Sequence, residues 1–133
     1  MSANRLALFE GHKYINFTTF RKNGQAVPTP VWFVVRDGRL YVSTGEQTGK
    51  ARRIRANGRA QVAPSDARGN PLGEFVPARA RQIDDPQVIR QVEAAFRKKY
   101  GWQRRLLSVL SLLGRRRTST PAIIELELTT KEP

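Results

Sequence analysis

The chain has 133 residues, with 24 Lys and Arg against 11 Asp and Glu, no cysteine, and a formal net charge of +13. The missing cysteines exclude disulfides and thiolate metal sites, and a single histidine, His12, argues against a histidine-rich metal site. The charge predicts an anionic partner: nucleic acid, an acidic membrane, or a phosphorylated or polycarboxylate small molecule.

The length suits one domain, residues 1–133, with one core. A chain of this size buries roughly two-thirds of its unfolded surface and needs no staples. The N-terminus lacks the apolar segment of a signal peptide. The longest uncharged apolar run, 106–114, falls short of the ~20 residues that span a bilayer. These features predict a soluble, cytoplasmic protein.

In chain order, residues 1–10 form a lead-in with helical character, followed by a region dominated by strands. Residues 14–20 are aromatic and β-branched, and Asn23-Gly24 predicts a two-residue type I′ hairpin with positive φ at both positions. The second strand is expected over 26–36. Pro28 and Pro30 place part of it at an edge, a bulge or a ligand-facing gap, because neither can donate to a ladder. Asp37-Gly38 marks the next hairpin and 39–44 the third strand. A short helix over 49–56 follows, with Thr48 as N-cap and Asn57-Gly58 as its stop, Gly58 being left-handed. Strands are expected at 59–65 and 74–83, separated by a turn containing Gly69, Asn70 and Pro71. Asp85-Pro86 opens a second helix, whose apolar face comprises Val88, Ile89, Val92, Ala95, Phe96 and Tyr100. A third helix is expected over 102–113, a basic loop over 115–120 and a last strand over 121–130. Six strands joined mostly by tight turns predict a mainly β (α+β) fold, an antiparallel barrel or sandwich, with a helical insertion at about 86–114 before the last strand.

The segment 43–54, S-T-G-E-Q-T-G-K-A-R-R-I, offers the chemistry of an anion cradle. Ser43, Thr44 and Thr48 supply hydroxyls, and Gly45 and Gly49 let the backbone come close. A helix start leaves N–H groups unpaired, with a dipole that favours negative charge. Helical spacing puts Ala51 and Ile54 toward the core. Lys50 and Arg53 share a flanking face, and Arg52 points to solvent. Phosphate contact is therefore assigned to Lys50 and Arg53 before Arg52 or Arg55. The spacing is not that of a P-loop.

Four blocks carry a family resemblance: T-T-F-R-K-N-G (18–24), A-V-P-T-P-V-W-F (26–33), S-T-G-E-Q-T-G-K-A-R-R-I-R-A-N (43–57) and V-A-P-S-D-A-R-G-N-P (62–71). In order and spacing the chain resembles the pyridoxamine 5'-phosphate oxidase-like split β-barrel flavoproteins, and within them the coenzyme F420-dependent branch. The resemblance implies a six-stranded antiparallel split β-barrel. It also implies a homodimer, with flavin or deazaflavin, FMN or F420, at the subunit interface. It further implies that the backbone of Pro30, Val31 and Trp32 runs along the ring, and that Thr44, Thr48, Lys50 and Arg53 hold the phosphate. The two prolines would then keep the ring-facing edge free of ladder donors.

The charge favours F420 over FMN, because F420 carries a polyglutamate tail. Arg21, Lys22, Arg52, Arg55 and the arginines at 115–117 are candidates for its track. The expected function is hydride transfer between the deazaflavin and a small unsaturated or conjugated substrate. An FMN-dependent oxidase or reductase is the alternative. No catalytic triad is expected, because the cofactor carries the chemistry. His12 reads as structural or exposed, and Asp84 and Asp85 as helix capping. Tyr100 and Trp102 read as core or dimer packing, and Trp32 as the wall of the ring site. The segment 104–117, apolar between basic ends, is either a helix at the dimer interface or a weak membrane-surface contact. A basic nucleic-acid-binding barrel is the remaining alternative. It is disfavoured because the aromatics lie in apolar runs and not on a basic face, so no nucleic-acid partner is expected.

Overall fold

The computed structural model describes residues 6–45, 49–101 and 121–129. The third helix at 102–113, the basic loop, Trp102, Thr48 and the 104–117 segment lie outside the described residues. The lead-in holds a short 3-10 turn, Ala7–Phe9, whose Phe9 is buried. Seven strands follow: β1 Tyr14–Phe20, β2 Ala26–Trp32, β3 Val34–Arg36, β4 Arg39–Gly45, β5 Arg59–Ser65, β6 Val76–Ile83 and β7 Pro121–Leu128. Helix α1, Gly49–Ala56, lies between β4 and β5, and α2, Pro86–Tyr100, follows β6.

All neighbouring strands run antiparallel, in the order β2-β1-β5-β6-β7-β4-β3. The two end strands, β2 and β3, are separated in sequence only by Phe33. One residue spans at most ~3.6 Å, so the two ends of the sheet must lie close together and the sheet must curl. The result is a split barrel.

The expected second strand thus divides at Phe33, making seven strands where the sequence predicts six. The reason is tertiary. Phe33 turns into the barrel and is fully buried, while its backbone leaves the ladder and bonds to α2. Its N–H donates to Tyr100 Oη at 3.0 Å, and its carbonyl accepts from Lys99 Nζ at 2.9 Å. The fifth predicted strand begins at Val76 in place of residue 74, after the chain is drawn onto β5 by Leu72 N–H donating to the Pro64 carbonyl.

Two turns differ from expectation. Asn23 does not take positive φ. Gly24 alone does, and the Asn23 side chain accepts from Gln25 N–H, giving a longer loop closed between Arg21 and Gln25. Asp37 and Gly38 both have positive φ, 52° and 76°, as a type I′ turn requires, between paired Arg36 and Arg39. Gly58 is not left-handed either. It is needed for close approach, because a Cβ there would lie 2.6 Å from the Ala80 carbonyl oxygen. Gly58 O also accepts from Ala80 N–H.

Alternation sorts the side chains into two clusters. Ile15, Phe17, Phe33, Leu40, Val42, Val62, Ile124 and Leu126 fill the barrel, joined by Ile54 of α1. Val34, Tyr41, Ile83 and Ile123 face outward and are covered by Val92, Phe96 and Tyr100 of α2. Asp85 caps α2 by accepting from Gln87 N–H, as the sequence predicts. Among the described residues no helix is long and apolar enough to cross a membrane.

Candidate functional site

Helix α1 forms where the sequence places it, with Ala51 and Ile54 buried and Arg52 and Arg55 exposed. Lys50 and Arg53 are half-buried on the flank between. Thr19 on β1 accepts from Arg53 Nε at 2.7 Å. The Arg53 side chain folds back along the helix, so that a Cβ at Gly49 would lie 2.9 Å from Nη1. The missing side chain of Gly49 is therefore what leaves room for the guanidinium beside the helix start.

The electrostatics at this place are one-sided. Burial lowers the Lys50 pKa, and the Arg53 charge lowers it further. Burial likewise lowers that of Arg53, followed by repulsion from Arg21 and Arg52. Among the described residues no acid forms an ion pair with Arg21, Lys50 or Arg53. A cation that is partly desolvated beside two others costs free energy unless an anion joins it. Ser43 and Thr44 lie half-buried near the end of β4, opposite Ile123 and Ala122 of β7. The structure thus puts Gly49, Lys50 and Arg53 together and adds Thr19 and Arg21.

The other predicted group is arranged differently. Pro30 is exposed and stands opposite Asn16 on β1, while Val31 packs against the barrel interior. Among the described residues β2 pairs only with β1, so its other edge has no strand beside it. The Trp32 ring stacks on Tyr100, with centroids 4.3 Å apart and planes at 5°. One face of the indole is therefore committed to packing. Tyr100 is buried and clasps the seam. Its hydroxyl accepts from Phe33 N–H and lies 2.7 Å from the Lys13 carbonyl and 2.8 Å from that of Phe33. Lys99 Nζ sits 3.5 Å from the Phe33 ring centroid, and burial brings its pKa down to about 8. No hydrogen bond joins Pro30–Trp32 to Lys50 or Arg53 among the described residues.

Sequence reasoning missed two polar centres. Thr19 falls in the T-T-F-R-K-N-G block, but nothing in that block pointed to its contact with Arg53. Glu125 alternates with apolar neighbours and reads as solvent-facing, yet it is buried. It accepts from Tyr41 Oη at 3.0 Å and Arg81 Nε at 2.9 Å, with Arg39 Nε at 3.8 Å. Burial raises its pKa, but the bonds from Arg81 and Tyr41 outweigh it and hold the carboxyl below its ordinary value. The register, Arg81 opposite Glu125 opposite Tyr41, could have revealed it once the strand order was known.

A seven-stranded antiparallel sheet curled into a split barrel, with a short basic helix after β4, defines the structural class. The pyridoxamine 5'-phosphate oxidase family profile matches residues 1–129, and the chain belongs to that family. No curated protein matches it. Among solved structures, HutZ, the heme storage protein from Vibrio cholerae, is similar at 13% identity and a TM-score of 0.70, covering 98% of this chain and 92% of that one. A provisionally assigned pyridoxamine 5'-phosphate oxidase from Listeria innocua is similar at 14% identity and 0.68, covering 98% and 96%. General Stress Protein 26 from Bacillus anthracis is similar at 18% identity and 0.62, covering 96% and 88%. At these identities the likeness is one of fold.

Proposed function

We propose that this chain is a flavin- or deazaflavin-dependent oxidoreductase that holds its cofactor by a phosphate at the start of α1. The observation that carries this reading is the half-buried pair Lys50 and Arg53, with Arg21 beside them and no acid paired to any of the three among the described residues. The donor set fits a phosphate. Arg53 is held by Thr19 and presents a planar fork, Lys50 adds a point charge, and the first N–H groups of α1 belong to the same end of the helix. Thr44, Thr48 and Ser43 are the hydroxyls assigned to it. The free edge of β2 at Pro30–Trp32 is the backbone assigned to the ring, and it also suits contact with a second copy across a homodimer interface. Either cofactor, F420 or FMN, would supply hydride chemistry when bound. The protein's part is to bind, orient and exclude water. F420 is preferred because of the +13 charge, and a small conjugated molecule is the substrate class.

The test is a fluorescence titration of the purified protein with FMN and with F420, repeated with Lys50→Ala. Hemin is included because the Vibrio cholerae neighbour stores heme. Loss of a charged hydrogen bond is worth roughly 1.5–3 kcal/mol, or about tenfold or more in affinity. Unchanged F420 and FMN affinity in Lys50→Ala would remove the phosphate assignment. Binding of neither cofactor would remove the reading as a whole.

A further inference from the structure

Strand β2 pairs only with β1 among the described residues, and none of its seven residues is buried. A strand with so few buried contacts is a weakly held element, unless something else fixes it. Two contacts on its outer face do so. Pro28, Pro30 and Trp32 share that face with Thr18, Asn16 and Tyr14 of β1, to which they are paired. At Trp32 the contact is the stacked Tyr100 ring. At Pro30 it is the loop 66–71, where Gly69 comes so near that an added Cβ would lie 3.4 Å from Pro30 Cδ. Asn16, buried in β1, ties that loop from beneath: its Nδ2 donates to Gly69 O at 2.9 Å, and its Oδ1 accepts from Thr18 Oγ1 at 2.7 Å. A buried amide costs free energy unless it is bonded, and both bonds of Asn16 are spent on holding this one loop. Asp66 closes the loop from the solvent side. Its carboxylate accepts from the N–H groups of Arg68 and Asn70, each at 2.9 Å, and from Asn70 Nδ2 at 3.0 Å.

Resting on the assignment of Pro30–Trp32 to the cofactor ring, we propose that Asn16 is a positioning residue of the ring site: through Gly69 it locks the loop 66–71 against Pro30 and so fixes where the β2 backbone meets the ring. Asn16 lies beneath the loop and acts through it, not on the ring itself. An edge held in place before binding pays less ordering cost when the ring arrives. The phosphate end is held separately. Arg53 is bonded to Thr19, and Thr19 and Asn16 are three apart on β1, so their side chains lie on opposite faces of the sheet. One strand thus supports the ring from one face and the phosphate from the other, and the two affinities can be changed independently.

Isothermal titration of the full chain and its variants with FMN, F420 and inorganic phosphate tests the proposal, together with the visible circular dichroism of bound cofactor at saturation. Asn16→Ala should weaken cofactor binding by about tenfold, leave inorganic phosphate within about twofold, and change the spectrum of the bound ring. Asp66→Ala loosens the loop through bonds exposed to solvent, without entering the packed sheet, and should follow Asn16→Ala. Lys50→Ala should weaken cofactor and phosphate alike, yet keep the parent's spectrum at saturation. Glu125→Gln lowers stability on β7, three strands from β1 in the sheet, and should keep both affinities and the spectrum. The proposal alone is overturned if the parent binds FMN or F420 and Lys50→Ala weakens that binding, but Asn16→Ala and Asp66→Ala keep the parent's affinity and spectrum. It is equally overturned if Glu125→Gln reproduces the changes of Asn16→Ala, or if Asn16→Ala loses phosphate as much as cofactor. Binding of neither cofactor by the parent overturns the cofactor reading and this proposal together.

Discussion

Replacing Tyr100 with Phe removes one oxygen from the seam where the sheet divides. That oxygen accepts from Phe33 N–H at 3.0 Å and reaches the Lys13 and Phe33 carbonyls at 2.7 and 2.8 Å. A hydroxyl has one proton, and Phe33 O already receives Lys99 Nζ at 2.9 Å, so the Tyr100 proton is best used on Lys13 O. The variant therefore orphans a buried N–H and deprives Lys13 O of this donor, while the ring and its stacking on Trp32 remain. An unsatisfied buried donor costs about 1–3 kcal/mol and a lost ordinary bond about 1. A net loss of roughly 2–3 kcal/mol lowers the melting temperature by about 7–12 °C for a domain of this size. Thermal denaturation followed by circular dichroism reads this directly. A double-mutant cycle with Lys99→Met adds a sharper measurement. Each single variant leaves Phe33 O one potential donor, but the double leaves neither, so the double should cost more than the sum by ~1 kcal/mol. A melting temperature within about 2 °C of the parent, or strict additivity, would refute the clasp.

Gly58→Ala should destabilise the fold by roughly 1–3 kcal/mol, because its Cβ would meet a backbone oxygen, Ala80 O, at 2.6 Å. Urea denaturation measures it. Gly49→Ala should behave oppositely. Its Cβ meets only the flexible end of Arg53, so stability should change by less than about 1 kcal/mol while FMN or F420 affinity falls several-fold as the guanidinium is displaced. Titration beside a melt separates the two effects. Glu125 has a folded pKa below its ordinary value, so its contribution is full above the unfolded pKa and is lost as pH falls through the folded one. Stability of the parent should therefore drop steeply below about pH 4.5, whereas Glu125→Gln should be less stable near neutrality and show a shallower acid limb. Equilibrium unfolding from pH 7 to 3 checks both limbs.

Local chemistry was legible in the sequence wherever a few adjacent residues decide it. The apolar spacing of α1 fixes which cations flank the core, so helical periodicity alone separates Lys50 and Arg53 from Arg52 and Arg55. Asp85-Pro86 set the start of α2, and the alternation of Ile124, Leu126 and Leu128 with Glu125, Glu127 and Thr129 set which face of β7 meets the barrel interior. Motif blocks carried the family, which the profile match over residues 1–129 bears out. Whatever depends on partners far apart in sequence was decided only by the tertiary structure. The strand expected over 26–36 breaks at Phe33 because a tyrosine and a lysine of α2 take over its backbone bonds. Gly58 is required by Ala80, and Glu125 is buried because Arg81 and Tyr41 flank it in register. Propensity and periodicity act over one or two turns of chain. Sheet order, which places β2 and β3 at the two ends of one curled sheet, brings side chains together across dozens of residues, and there the backbone's need for partners overrides the local pattern.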